Sequence, residues 1–378
     1  MSNVKFTAKR YRLEKILKNL GMSAVIISCL FLVILLGSII TQSIPAFIAY
    51  KVEVEFPQDT EQHKFLNQKE TIKFLKEYVS SKTLAESTEY LDFFSIAAQE
   101  EIASLAKQNK LRGSVFLTAS SKILKQNLSS NFKIIRQFNY SFFNSPESRQ
   151  SELAGMATSI MGSLYTIFIC ILVSFPIAVL SAIYLEEFAP KNIITSIIEI
   201  NINNLAAVPS IVFGLLGLVV LINTIGLPRS ASVTAGITLA MMILPVMIIS
   251  TRQALSTIPS SIKQAALALG ATKMQTILHH TLPLAIPGIM TGAILSIGRA
   301  IGETAPLILI GMVAFIVDIP HDIFAPTTVM PVQIFLWASS PEAGFKAKTA
   351  AAILILLTIL VIMNMVAVYI RKKYEQKW

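Results

Sequence analysis

Six long stretches of this chain carry almost no charge, at about 22–48, 156–184, 199–223, 232–251, 283–313 and 348–370. That pattern limits the fold more than any other feature. A helix rises about 1.5 Å per residue, so about 20 apolar residues cross a hydrocarbon layer of about 30 Å. Each stretch meets that length. Charged residues make up only 14% of the chain, against about 25% in a soluble domain. The expected fold class is an all-α polytopic membrane protein with six spans.

The flanking charges predict how the spans are threaded. Residues 1–20 hold Lys5, Lys9, Arg10, Arg12, Lys15 and Lys18 against the single acid Glu14. The apolar run that follows is longer than the roughly 7–15 residues of a signal-peptide core. It reads as an uncleaved first span over 21–48, with a cytoplasmic basic N-terminus over 1–20. Six spans then return the tail, 371–378, to the cytoplasm, where Arg371, Lys372, Lys373 and Lys377 suit it. The loop 252–282, with Arg252, Lys263 and Lys273, falls on the same side. The net charge of +10 is accounted for by such loops and does not call for nucleic acid.

Between the first two spans lies a different kind of sequence. Residues 50–150 contain 14 Lys/Arg and 12 Asp/Glu and no run long enough to span. This places an extracytoplasmic insert at 49–152, followed by the main transmembrane domain at 153–370. Leu91, Phe94, Ile96, Ile102 and Leu105 recur at helical spacing and could form one buried face. The insert reads either as a platform or as a ligand-sensing domain. Cys29 and Cys170 both fall in apolar runs, so neither a disulfide framework nor a Cys-rich metal site is expected.

Two intramembrane charges stand out. Arg299 and Glu303 lie in Gly298-Arg-Ala-Ile-Gly-Glu-Thr-Ala-Pro306, toward the middle of the fifth apolar run. A spacing of four puts them on one helix face. Charges in lipid are costly, so the pair should face the bundle interior or a pathway. It reads either as a local ion pair or as an anion contact, since a guanidinium suits an oxyanion. Gly298 and Gly302 add a small-residue spacing that admits another backbone. In the third run, Pro209 is placed to open the helix and Gly214 and Gly217 to allow close packing. Glu199 suits the start of that helix.

The loop 252–282 is a third constellation. Residues 260–270 predict a short helix closed by Gly270, with Ala265 and Ala266 giving a smooth surface to fit a partner's groove. His279 and His280 are adjacent and lack a third ligand, so they read as solvated. The chain contains no Gly-x4-Gly-Lys-Ser/Thr motif, so any ATP that drives it must be bound by another chain.

These residues resemble a known family. Gln264, Ala265, Ala266, Gly270, Leu282 and Pro283 resemble the docking loop of permeases in ATP-binding-cassette importers, which reads Glu-Ala-Ala, three residues, Gly, nine residues, Ile-x-Leu-Pro. Gln264 stands in place of the Glu and His280 in place of the Ile. The strings Ala207-Val-Pro-Ser-Ile-Val-Phe-Gly214 and Gly298–Pro306 resemble phosphate importer permeases of the PstA type, over about residues 155–370. The N-terminal 150 residues resemble an extension found in some Gram-negative PstA proteins. The resemblance implies a six-helix type I importer bundle in the bacterial inner membrane, which itself binds no cofactor. It implies a PstC-type permease, a PstB-type ATPase dimer carrying ATP and Mg, a periplasmic phosphate-binding protein, and phosphate passage near Arg299 and Glu303. The chain is then a transporter subunit and not an enzyme. Other readings are a permease for sulfate or molybdate, or a membrane sensor using residues 50–150. A membrane enzyme would have only Glu303 as a deeply placed carboxylate.

Overall fold

The computed structural model describes residues 2–56, 98, 113–118, 133–313, 315–316 and 318–374. Helix α1 (Ser2–Phe47) runs unbroken from the basic N-terminal segment through the first apolar run. Strand β1 (Ile48–Phe56) follows it directly. It pairs antiparallel with β2 (Gly113–Thr118) on one side and β3 (Ile134–Phe138) on the other. Val52 and Val54 are buried and stand opposite Leu117 and Val115, which are buried too. The charged residues between them take the other face, as the two-residue period of a strand dictates. The all-helical expectation therefore gains a three-stranded sheet in the insert. The helical face expected at Leu91, Phe94, Ile96, Ile102 and Leu105 lies outside the described residues.

A short helix, α2 (Ser141–Asn144), leads into the membrane bundle. Helix α3 (Ala157–Ile183) ends in a π-helical turn, Tyr184–Phe188. Helix α4 (Ile193–Ala206) and α5 (Ser210–Leu216, continued by a π segment Gly217–Thr224) are bent by 104°. Then come α6 (Ser232–Ser256), α7 (Ser260–Ala268) and α8 (Lys273–Thr276). A π turn, Ile277–Thr281, joins α8 to α9 (Leu282–Gly302). Helices α10 (Ala305–Leu309), α11 (Met330–Ala338) and α12 (Gly344–Tyr374) complete the described chain. Among the described residues, five helical stretches are long and apolar enough to cross a membrane, and six if the bent α4–α5 pair is one broken span rather than a re-entrant loop.

Two spans depart from the simple rods expected. The run 199–223 is broken at Ala207–Pro209, where Pro209 precedes the first turn of α5. Glu199 consequently sits inside α4 and not at a helix start. The run 283–313 stops being helical at Gly302, so Arg299 and Glu303 lie at the end of α9 and not in mid-span. Proline at 306 favours the break, since a helix continued through it would lose a hydrogen bond and crowd the carbonyl four residues back, although α3, α6 and α9 run through Pro176, Pro245 and Pro287.

Helix α6 is the centre of the bundle. In its most apolar window 72% of residues are buried, against 0% for α1. Between helices in lipid, association depends on close packing rather than on water exclusion. Here glycine supplies the closeness. A Cβ at Gly288 would stand 2.7 Å from the Ala254 Cβ, and one at Gly292 would collide with Ser250. The α6–α9 contact is therefore built on Gly288 and Gly292. Gly298 and Gly302, expected to do this, have nothing within 4 Å of an added Cβ.

The insert is fastened to the bundle at its base. Phe47 stacks on Phe143 at 6.1 Å, and the buried Phe142 lies 6.3 Å from Trp337, which stacks on Phe345 at 5.8 Å. Polar contacts accompany the rings. Gln333 Nε2 donates to Glu147 Oε1 at 2.9 Å, Ser151 Oγ donates to Glu342, and the Lys348 ammonium donates to the carbonyls of Glu152 and Ala154. Burial strips water from Glu147 and pushes its carboxyl above the ordinary range, more than its hydrogen bonds from Gln333 and Ile316 draw it down.

Candidate translocation and docking sites

The two strings that carried the phosphate-permease resemblance meet in space. A Cβ at Gly214 would stand 2.6 Å from the Pro306 Cα and 2.9 Å from its carbonyl oxygen, so α5 and α10 touch backbone to backbone. Gly217 likewise lies against Thr238 of α6 and Ile310. Sequence separation hid this junction, because 91 residues lie between Gly214 and Pro306 in the chain. Pro209 opens α5, and Pro306 restarts the helix after the Glu303–Thr304 break.

Arg299 is placed at the edge of this junction. Its Nε lies 3.5 Å from Glu303 Oε1, at the long limit of a hydrogen bond. The Arg299 side chain is 47% exposed and that of Glu303 19%. Glu303 has already left the helix, with φ −74° and ψ 126°, and its N–H donates to the Ala300 carbonyl at 3.3 Å. Leu295, Arg299 and Gly302 are exposed along one side of α9. The expected pair is thus present, but loosely closed and on a face this chain leaves uncovered. A half-exposed guanidinium is unfavourable against hydrocarbon.

The loop 252–282 folds into two short helices. Helix α7 ends as expected, with Gly270 at φ +87°, a region that favours glycine. Thr272 and Gln275 form a reciprocal cap at the start of α8. Gln264 and Ala265 are exposed, whereas Ala266 is buried within the chain. The smooth surface expected from both alanines is therefore Ala265 alone, and Ala266 anchors α7. The outward apolar surface comes from residues that sequence reading passed over: Leu267, Leu269, Met274 and Leu278 are exposed, Leu269 to 90%. Leu282 and Pro283 are half-buried at the start of α9. His279 and His280 are exposed, and no group of three possible metal ligands occurs among the described residues.

Residues 174–376 match the family of binding-protein-dependent transport system inner membrane components. The chain belongs to that family. Residues 5–137 match a second family, a domain of unknown function, DUF3333. The probable ABC transporter permease protein YqgI of Bacillus subtilis (strain 168) is 30% identical over 236 residues, covering 59% of this chain and 80% of the relative. The phosphate transport system permease protein PstA of Mycobacterium leprae (strain TN) is 32% identical over 207 residues, covering 54% and 67%. A chain of the inward-facing MetNI methionine ABC transporter covers 58% of this chain and 94% of its own at 17% identity, with a TM-score of 0.44. The PstA-type resemblance and the N-terminal extension both agree with these matches. The protein is a permease component of an ABC importer and a multi-pass inner-membrane protein.

Proposed function

We propose that this permease moves inorganic phosphate and that Arg299 faces the route it takes. The carrying observation is the half-exposed Arg299 on the uncovered side of α9, with Glu303 as its hydrogen-bond partner at 3.5 Å. Such a cation needs protein or water over it, and a second permease of PstC type laid on this face would supply both. A phosphate anion crossing between the two would find a guanidinium fork to replace lost water. Glu303 would hold the fork until the anion arrives, and the 3.5 Å gap leaves it free to exchange. The names of relatives such as the Mycobacterium leprae PstA support phosphate as the substrate.

In this reading the loop 252–282 docks on a separate ATPase dimer, which binds the ATP and Mg. Gln264, Ala265, Leu267 and Leu269 form the outward surface. Both termini lie in the cytoplasm and the insert outside, beside a periplasmic phosphate-binding protein. ATP does work by favouring one of two arrangements of the permease pair, which alternates access.

The test is uptake of radiolabelled phosphate with its partner subunits coexpressed. Arg299→Gln should abolish uptake at unchanged membrane abundance, and excess sulfate or molybdate should compete poorly with the native complex. If the pair served only to hold helices together, the double change Arg299→Gln with Glu303→Gln would remove both charges and restore uptake. Near-normal uptake in the double variant would sink the pathway role. Equal competition by sulfate would sink the substrate.

A further inference from the structure

We propose that Glu186, Glu187 and Phe188 form a strap that positions the docking loop and carries its movement into α3 and α4. The proposal rests on the reading of loop 252–282 as the ATPase contact. These three consecutive residues close the π turn at the end of α3, and each takes a cation from a different element. Arg252, in the last turns of α6, donates from Nε and Nη2 to Glu186 Oε2 at 3.3 Å. The same Nη2 donates to Glu199 Oε1 of α4 at 2.8 Å. Lys263 of α7 pairs with Glu187, whose side chain is only 8% exposed. Lys273 of α8 lies 5.0 Å from the centre of the Phe188 ring.

Local helix energetics argue against these acids. The C-terminal end of a helix carries partial negative charge, so a glutamate there is unfavourable, and two in succession also repel. What holds them is the ring of cations from the loop side. The contacts are directional: Arg252 bridges two acids on separate helices, and Lys263 fixes α7 through a nearly buried carboxylate. Buried Ala266 pins α7 by packing, and buried Ile277 pins the π turn that follows α8. A loop tied only at its ends would flex under a push. A loop tied at α7 and α8 to the end of α3, and at its root to α4, moves them with it. Glu186, Glu187 and Arg252 are positioning residues, since none of them lies at the Arg299 junction.

The experiment uses the full complex with its partner subunits in liposomes, with radiolabelled inorganic phosphate as the probe. It reads three quantities: ATPase retained on purification, ATP hydrolysed, and phosphate moved per ATP. Glu187→Gln and Lys263→Gln should keep ATPase binding within about twofold while phosphate moved per ATP falls about fivefold or more, the lower end of ordinary coupling between sites. The exchange Glu187→Lys with Lys263→Glu should restore phosphate per ATP to within about twofold of the native value, because it rebuilds the pair. Should the single variants assemble poorly, cysteines at 187 and 263 joined by a short reducible cross-linker give the same test on one folded sample. Coupling should be high when linked and low after reduction. Unchanged phosphate per ATP in the single variants, or no effect of reducing the link, overturns the strap. A separate cross-link from Leu269→Cys to the ATPase tests the docking reading. If that link never forms, the docking reading fails and the strap falls with it; if it forms while coupling is indifferent to the strap, only the strap fails.

Discussion

Four glycines on one helix give a sharp test of the packing. Gly292 and Gly298 both lie in α9, yet a Cβ at 292 collides with Ser250 and one at 298 meets nothing within 4 Å. Replacing a helical glycine by alanine gains about 1 kcal/mol from reduced backbone freedom in the unfolded chain. Overpacking a close contact costs about 1–3 kcal/mol. Gly298→Ala should therefore stabilise the isolated permease by about 1 kcal/mol. Gly292→Ala should range from neutral to about 2 kcal/mol destabilised, taking the difference of the two terms. The assay is built into the chain, which has two cysteines. Cys170 is 1% exposed in the core, whereas Cys29 is exposed on α1. In a Cys29→Ala background, a fluorogenic maleimide reacts only when the core opens, and its labelling midpoint on heating reports stability. Gly292→Ala labelling at a lower temperature than Gly298→Ala is the expected order. The reverse order would refute the α6–α9 packing described above. Gly288→Ala, facing Ala254, should behave as Gly292→Ala does, and Gly302→Ala as Gly298→Ala.

Three further outcomes follow from particular residues. Cysteines placed at Lys82 and Leu269 should react oppositely with a membrane-impermeant reagent in outer-membrane-permeabilised cells, the first labelling and the second not; the opposite pattern inverts the topology. Gly270→Val should cost about 1–2 kcal/mol locally, since a β-branched residue resists φ +87°, and should strip the ATPase from the purified permease while leaving membrane insertion intact. Glu147 has a raised folded-state pKa, so the stability it contributes is complete below the unfolded value of about 4.3 and is lost as pH rises through the folded value. Protection of residues 145–156, taken relative to the intrinsic exchange rate at each pH, should fall over that rise in the native chain and stay level in Glu147→Gln.

Much of the membrane architecture was legible because it is written in length and charge. The apolar runs identified the spans, and Gly270 identified the turn of loop 252–282 by its freedom to adopt positive φ. What sequence reading missed had two physical sources. The first was a local signal that was present but not weighed: Lys51-Val52-Glu53-Val54 alternates with a period of two, the mark of a half-buried strand. The second was partnership across the chain. Glu199 looked like a helix-start acid because its partner, Arg252, lies 53 residues away. Gly298 and Gly302 looked like a packing motif because spacing alone cannot tell a covered face from an open one. Gly288 and Gly292 have the same spacing and are the pair that packs. Ala266 faces inward for a similar reason: the loop folds back on the bundle, and that depends on Lys263 finding Glu187.

The break in α9 ties these observations to one another. Pro306 disfavours continuing the helix that began at Leu282, and the chain leaves helical geometry at Gly302 and restarts with Pro306 in the first turn of α10. Where the segment restarts, its backbone around Pro306 packs closely on Gly214 of α5. Glu303 caps α9 through its N–H on the Ala300 carbonyl and stands three residues before Pro306, while Arg299 lies within α9. Their 3.5 Å separation joins positions i and i+4 across the end of α9, where Glu303 has left helical geometry. The same α5 is joined through the bend at Pro209 to α4, which Arg252 connects to the root of the docking loop. A continuous series of contacts therefore runs from the surface proposed to meet the ATPase to the carboxylate beside the proposed anion route. The steps are a charged hydrogen bond, a covalent bend and a close backbone packing contact.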